Sequence, residues 1–294
     1  MQHYTVLVHA STILCSLVLS QVLCCNIDWK FRKVVEDERS LIHSRMKENS
    51  SADFKELCHL NTMESMPRMD SKQLSYRIAV PDDFTQIDLL LQQHFISQEP
   101  TDVALGLNRS TPGYVENLQE VIKQCLTQPY TFVAISEEDE IVGVRLNELH
   151  KPSQNAIDDR KLGNAVRGGL SAWEILQAYL AKLEEDVDRL IPEDCRKNIL
   201  KFSILCVHQK FRRLGIAAKL VDLSLQNARM FDFCCVFAVL TAKATQNLFK
   251  KDCFEVLRVI KHKDFVDENG KILLNCNDGT DQGLLVFKRI QARK

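Results

Sequence analysis

One stretch constrains this chain more than any other: Ile204-Leu205-Cys206-Val207-His208-Gln209-Lys210-Phe211-Arg212-Arg213-Leu214-Gly215-Ile216-Ala217-Ala218-Lys219-Leu220. An apolar, strand-like run gives way to a short polar turn, then to Arg-Arg-x-Gly-x-Ala opening an amphipathic helix. Strand, tight turn and helix N-terminus together make an anion site. The first-turn N–H groups have no intrahelical partner, and the helix dipole points its positive end at whatever binds there. Gly215 lets the backbone approach a phosphate closely, and Ala217 keeps the next turn slim. Arg212 and Arg213 supply charge that a diphosphate would neutralise. The plainer reading is an ordinary strand–loop–helix with solvated arginines, and a single glycine motif does not exclude it.

The rest of the composition says what can surround that site. With 45% hydrophobic and 26% charged residues among 294, the chain can bury a substantial core. A net charge of -1 gives no electrostatic case for a nucleic-acid or acidic partner. The 11 cysteines include no Cys-x-x-Cys, only the doublets Cys24-Cys25 and Cys234-Cys235. Scattered through apolar runs, they read as reduced, buried thiols of a cytosolic chain rather than as metal ligands.

The N-terminus pulls the other way. Met1 to Ile27 contains no Asp, Glu, Lys or Arg, and its apolar length approaches the ~20 residues of a bilayer span. As a cleaved signal it lacks a basic start and an Ala-x-Ala site. As an anchor it carries Lys30, Arg32 and Lys33 on its C-terminal side only, which would leave the remainder in the cytosol. A third reading is an upstream extension of the coding sequence, with Met46, Met63, Met66 or Met69 as the start. The sequons at Asn49 and Asn108 matter only in a lumenal protein and are read as chance. Residues 28–73 are charged and aperiodic, a linker. The domain is expected over 74–290.

Within it the elements follow in order. Leu74–Ala79 alternates as a strand. Phe84, Ile87, Leu90, Leu91 and Phe95 recur at helical spacing, and Pro100 is expected to end that helix. A second helix runs from near Pro112 to Leu126. Tyr130–Ile135 and Ile141–Leu146 flank an acidic turn as a hairpin, a polar loop covers 149–170, and Trp173 to Val187 marks a third helix. The Ile199–Val207 strand, the glycine-led helix, the Phe233–Leu240 strand, a short helix Ala242–Lys251 and strands Phe254–Ile260 and Gly283–Phe287 complete a mixed α/β layout with helices flanking a central sheet.

Arg212-Arg213-Leu214-Gly215-Ile216-Ala217 resembles the acetyl-CoA pyrophosphate loop of the GCN5-related N-acetyltransferases, and the element order is theirs. Three further segments are similar to the insect arylalkylamine (dopamine-type) N-acetyltransferases. His94-Phe95-Ile96-Ser97-Gln98-Glu99-Pro100 looks like their Phe-Phe-x-x-x-Glu-Pro, Ile141–Asn147 like their Ile-Ile-Gly-Val-x-Leu-Asn, and Val239–Thr245 falls where they carry a strand end and Ser-x-x-x-Ser. The resemblance covers roughly Leu74 to Ile290. It implies acetyl-CoA as co-substrate and a small amine (dopamine, serotonin, tyramine or octopamine) as acceptor. The alternatives are a polyamine or other small amine, and a non-catalytic acyl-CoA-binding pseudoenzyme.

The chemistry asks for three groups. An acceptor amine with a pKa near 10.4 is mostly ammonium at pH 7, and deprotonating it costs ~3–5 kcal/mol, so a base is needed. The resemblance assigns that role to Glu99; otherwise a glutamate before Pro100 reads as solvated. A developing oxyanion needs N–H donors, and in this fold a bulged strand presents them, here expected at Cys206, Val207 and His208. His208 is itself a weaker candidate base. Together with Arg212, Arg213, Leu214, Gly215, Ile216 and Ala217 these residues form the expected co-substrate site. The leaving thiolate takes a proton. Phe249 stands where many relatives carry a tyrosine, and the subfamily's two serines match Thr241 and Thr245, which keep the hydroxyl. Thr241 also reads as a cap for the helix that follows. Cys253 replaces a usual glycine, and Asp281 falls where a histidine is common; both bear on the substrate rather than the fold.

Overall fold

The computed structural model describes residues 74–96, 98–151, 170–267 and 269–290. All belong to one unit, Arg68–Lys294. The expected hydrophobic segment 1–27, the linker 28–73 and most of the polar stretch 149–170 lie outside the described residues. Among the described residues no helix is long and apolar enough to cross a membrane.

The strands are β1 (Ser75–Ile78), β2 (Phe132–Ile135), β3 (Ile141–Leu149), β4 (Ile199–Val207), β5 (Cys235–Leu240), β6 (Glu255–Lys261) and β7 (Gln282–Arg289). They form a seven-stranded sheet in the order β1-β2-β3-β4-β5-β7-β6. Every neighbouring pair is antiparallel except β4 and β5. That parallel pair needs a crossover, supplied by α6 (Ile216–Met230).

The helices before it are α1 (Phe84–His94), α2 (Pro100–Leu105), α3 (Tyr114–Leu126), α4 (Ala172–Glu184) and α5 (Val187–Leu190); α7 (Lys243–Lys251) follows β5. Ile87, Leu90 and Leu91 of α1 and Leu118 and Ile122 of α3 pack with Val144 and Leu146 on one face of the sheet. Ile216 and Leu220 of α6 cover the other face over Phe132, Ala134 and Val142. Gly143 explains how close α6 lies: a Cβ there would meet Ile216 Cγ2 at 2.8 Å. Asn147, two steps further along the same face, donates to Tyr130 O (2.7 Å) and to Ser224 Oγ on α6 (2.9 Å).

One expectation is corrected. Pro100 does not end the first helix, which stops at His94; it begins α2 at the first helical position. There a fixed φ and a missing N–H cost nothing, since that N–H has no intrahelical acceptor.

Candidate active site

β4 and β5 pair only from Ile199↔Cys235 to Phe202↔Ala238. Pairing with β3 jumps from Leu146↔Ile204 to Asn147↔Phe202, so Ser203 is an extra residue in β4, a bulge. Bulges bend a strand and sharpen its twist, and the two parallel strands part at this point. A cleft of about 530 Å³ occupies the gap, lined by Ile204 to Val207 of β4, Ala238 to Leu240 of β5, Arg213, Ala217, Thr245 and Phe249. A second cavity of about 210 Å³ meets it from the other side, lined by Tyr114, Trp173, Leu176, Leu180, Glu148 and Lys201. Glu99 and Thr241 line both. A larger hollow of about 770 Å³ lies in the β6–β7 connection and includes Asp281. It holds neither the glycine-led helix start nor Glu99; the candidate residues gather at the paired cavities instead.

Glu99 is buried, 9% exposed. It is the N-cap of α2: its Oε2 accepts from Thr101 N (2.7 Å), from Asp102 N (3.0 Å) and from the Thr101 hydroxyl. Its Oε1 accepts from the Thr241 hydroxyl at 2.6 Å. Three donors occupy one oxygen and a single hydroxyl the other, so Oε1 keeps lone-pair capacity at the junction. Behind it, Asp102 takes a hydrogen bond from the Tyr114 hydroxyl. Burial, with the charge of Glu99 adding to it, pushes the Asp102 carboxyl up to about 8. At the far end of the second cavity Lys201 bonds Glu184 (2.9 Å), and Ser203 donates to Glu148 (2.7 Å).

Gly215 caps α6 at φ 80, and a Cβ there would meet nothing within 4 Å, so the first turn of α6 opens freely on its approach side. Arg213 also takes a left-handed φ of 65. The Arg212 guanidinium reaches back to Val207 O (3.3 Å) and His94 O (3.4 Å), tying β4 to α1 at the rim. Leu214 points outward, whereas Ile216 is buried under the sheet, so each offers only its backbone to a ligand.

Cys206 and Val207 line the cleft. His208 is not one of the expected donors, because its N–H is taken by Val142 O (2.8 Å). By the alternation of the antiparallel ladder Cys206, opposite Val144, turns its N–H to β3 as well, which leaves Val207 as the candidate donor. The bulge lies upstream, at Ser203. The His208 ring packs against His94 at a tilt of 49°, centroids 3.9 Å apart, and its Nδ1 accepts from Lys210 N; it is absent from the lining of both cavities. Thr241 does not cap α7. Lys243 N is bonded instead by Asp278 Oδ2 at 2.7 Å, from the loop before β7. The Thr245 hydroxyl donates to Ala242 O at 2.8 Å.

Sequence reasoning missed Asp278, which only the fold brings to α7, and Arg145, a cleft-lining residue buried in β3. Arg145 left a signal: a charged residue inside the otherwise apolar run Ile141–Leu146.

This sheet, parting between its two parallel strands beside a glycine-led helix, is the fold of the GCN5-related N-acetyltransferases. The expected resemblance is thus met at the level of the fold. Among solved structures the chain is similar to arylalkylamine N-acetyltransferase 2 of Aedes aegypti, with 20% identity and TM-score 0.63 over 74% of this chain and 99% of that one. A Drosophila melanogaster polyamine N-acetyltransferase that forms N-acetylagmatine matches at 15% identity and TM-score 0.57, over 74% and 100%. The C-terminal condensation domain of Ebony, bound to β-alanyl-dopamine, matches at 16% and TM-score 0.59, over 75% and 100%. No family model matches the sequence.

Proposed function

We propose that this chain transfers acetyl from acetyl-CoA to the primary amine of a small arylalkylamine, of dopamine, serotonin, tyramine or octopamine type, by direct attack in a ternary complex. The observation that carries the reading is Glu99, a buried carboxylate with an incompletely used oxygen where two cavities meet. The residues fit the co-substrate. The first-turn N–H groups of α6, the open approach at Gly215 and the charge of Arg213 suit a diphosphate, and the β4 edge from Ile204 to Val207 suits an extended arm. The second cavity suits the amine, with Tyr114 and Trp173, ring centroids 4.9 Å apart, against a ligand ring.

In this reading Glu99 takes the ammonium proton, and the free amine attacks the thioester carbonyl carbon. The C–S bond then breaks and the thiolate takes a proton. Thr241, which lines the cleft beside Glu99, accepts a proton from the protonated carboxyl and gives its own hydrogen to the thiolate. The restored Glu99 carboxylate takes the second proton of the acylated nitrogen, which leaves to solvent. Thr245 is the reserve donor, since its hydrogen is engaged by Ala242 O. A cytosolic setting, where acetyl-CoA is made and thiols stay reduced, belongs to the proposal; the seven cysteines of the described residues are free.

One observation favours the polyamine alternative: Glu148 and Glu184 line the acceptor cavity against a single cation, Lys201, and the negative charge left over would attract a second cationic group. Steady-state release of CoA from acetyl-CoA, with tyramine, dopamine, spermidine and agmatine compared, tests both. An arylalkylamine with the highest kcat/KM supports the primary reading, and a diamine with the highest supports the second. Acetyl-CoA binding with no amine-dependent release of CoA would leave a pseudoenzyme.

A further inference from the structure

Arg145 is 3% exposed, yet its Nε and Nη2 find no hydrogen-bond partner among the described residues. Its guanidinium lies 4.4 Å from the centroid of Phe202 and 5.7 Å from that of Phe249. Both rings are fully buried. Aromatic faces attract a cation, but they do not replace the water and counter-charge lost on burial. The cost shows in its acidity: burial pushes Arg145 down to about 9. Cys125 is the only neighbour that raises it, and burial lifts that thiol to about 12, so it is neutral.

Position supplies the rest. Phe202 and Ala238 are the last paired residues of the parallel strands, so the cleft closes there, and Arg145, Ala238 and Phe249 line it at that end. The diphosphate cradle is at the opposite, open end, at Arg213 and Ala217. A thioester whose diphosphate sits in the cradle extends its acyl group toward the closed end. We propose that Arg145 receives a carboxylate carried at the far end of that acyl group, so that short dicarboxylic acyl thioesters are donors for this chain. A carboxylate supplies two oxygens to the two free N–H positions and neutralises the buried charge. The transfer step keeps its balance. The amine nitrogen bonds the thioester carbon and the C–S bond breaks; of the two protons the ammonium nitrogen loses, one reaches the thiolate through Glu99 and Thr241 and the other leaves to solvent, and the product is an amide bearing a free carboxylate.

The inference rests on the cleft being an acyl-CoA site, and the test separates the two. Calorimetry on the full chain compares free CoA, acetyl-CoA, malonyl-CoA and succinyl-CoA for the parent, Arg145→Met and Arg145→Lys, with mass spectrometry of the amide formed from each donor. The expected parent result is at least one dicarboxylic thioester bound about tenfold more tightly than acetyl-CoA and converted to its carboxy-amide. Arg145→Met, which keeps an apolar stem between the two rings, should abolish that preference while retaining acetyl-CoA and free CoA affinity, and Arg145→Lys should preserve part of it. Parent protein that binds neither dicarboxylic thioester more tightly than acetyl-CoA overturns the proposal, and needs no variant to do so. Equal loss of all four ligands in Arg145→Met also overturns it, by putting Arg145 on the arm they share. Failure of every ligand, free CoA included, would overturn the acyl-CoA reading itself.

Discussion

Glu99 combines two jobs that usually fall to different residues: it caps α2 with one oxygen and presents the other to the junction of two cavities. Glu99→Gln retains size but cannot take a proton, so kcat/KM should fall by ~10²–10⁴ at neutral pH while acetyl-CoA affinity stays near the parent. Part of the loss should return at alkaline pH, where the amine is already unprotonated; parental turnover at pH 7 would sink the assignment. The hydroxyls should separate as well. Thr241→Ala removes the donor to Oε1 and should lower kcat, with Thr241→Ser restoring it, whereas Thr245→Ala should leave kcat close to the parent because that hydrogen already serves Ala242 O. Kinetics on the three variants give the order directly. Glu99 was legible in the sequence only through the resemblance. Nothing local says that a glutamate before proline is buried, since Thr241, its partner, lies 142 residues away.

At the scale of the element, α7 shows how local and distant chemistry share one helix. Its start is capped by Asp278 from the loop before β7, a partner no local pattern could supply. Its end is local. Cys253 N bonds Lys250 O, Phe254 N bonds Phe249 O, and the Phe249 and Phe254 rings lie 4.6 Å apart, which is the Schellman closure with its hydrophobic contact. Such a closure needs a left-handed residue, and Cys253 supplies it at φ 56. That explains why a glycine is usual here. The strain costs an L residue ~1–2 kcal/mol, partly offset by the greater unfolded-state entropy of glycine. Cys253→Gly should therefore stabilise the protein by about 0.5–1 kcal/mol, read as a raised urea midpoint with unchanged slope. The opposite sign is expected at Gly143, where an added Cβ would press on Ile216 and Leu220. Gly143→Ala should cost ~1–3 kcal/mol by overpacking. It should also weaken acetyl-CoA binding, because it pushes the start of α6 off the sheet; unchanged affinity by calorimetry would separate that helix from the co-substrate.

For the whole molecule, the buried Asp102 couples the second cavity to stability. Its carboxyl sits at about 8 against an ordinary 3.8, so between those values the folded protein holds a proton that the unfolded chain has released. Stability should fall as pH rises through that window, by up to ~1.4 kcal/mol per unit, and level off above it. Asp102→Asn should flatten the profile in urea titrations from pH 5 to 8; an unchanged slope would show that Asp102 does not carry it. The sequence alone determined the mixed layout and the glycine-led helix behind β4. These follow from periodicity and local chemistry, which act over a few residues. The break between β4 and β5, the meeting of two cavities at Glu99, the diversion of the His208 N–H to Val142 and the burial of Arg145 between two rings were decided by tertiary structure. Each depends on which strands pair, and where pairing stops, and that is set by packing between residues far apart in the chain.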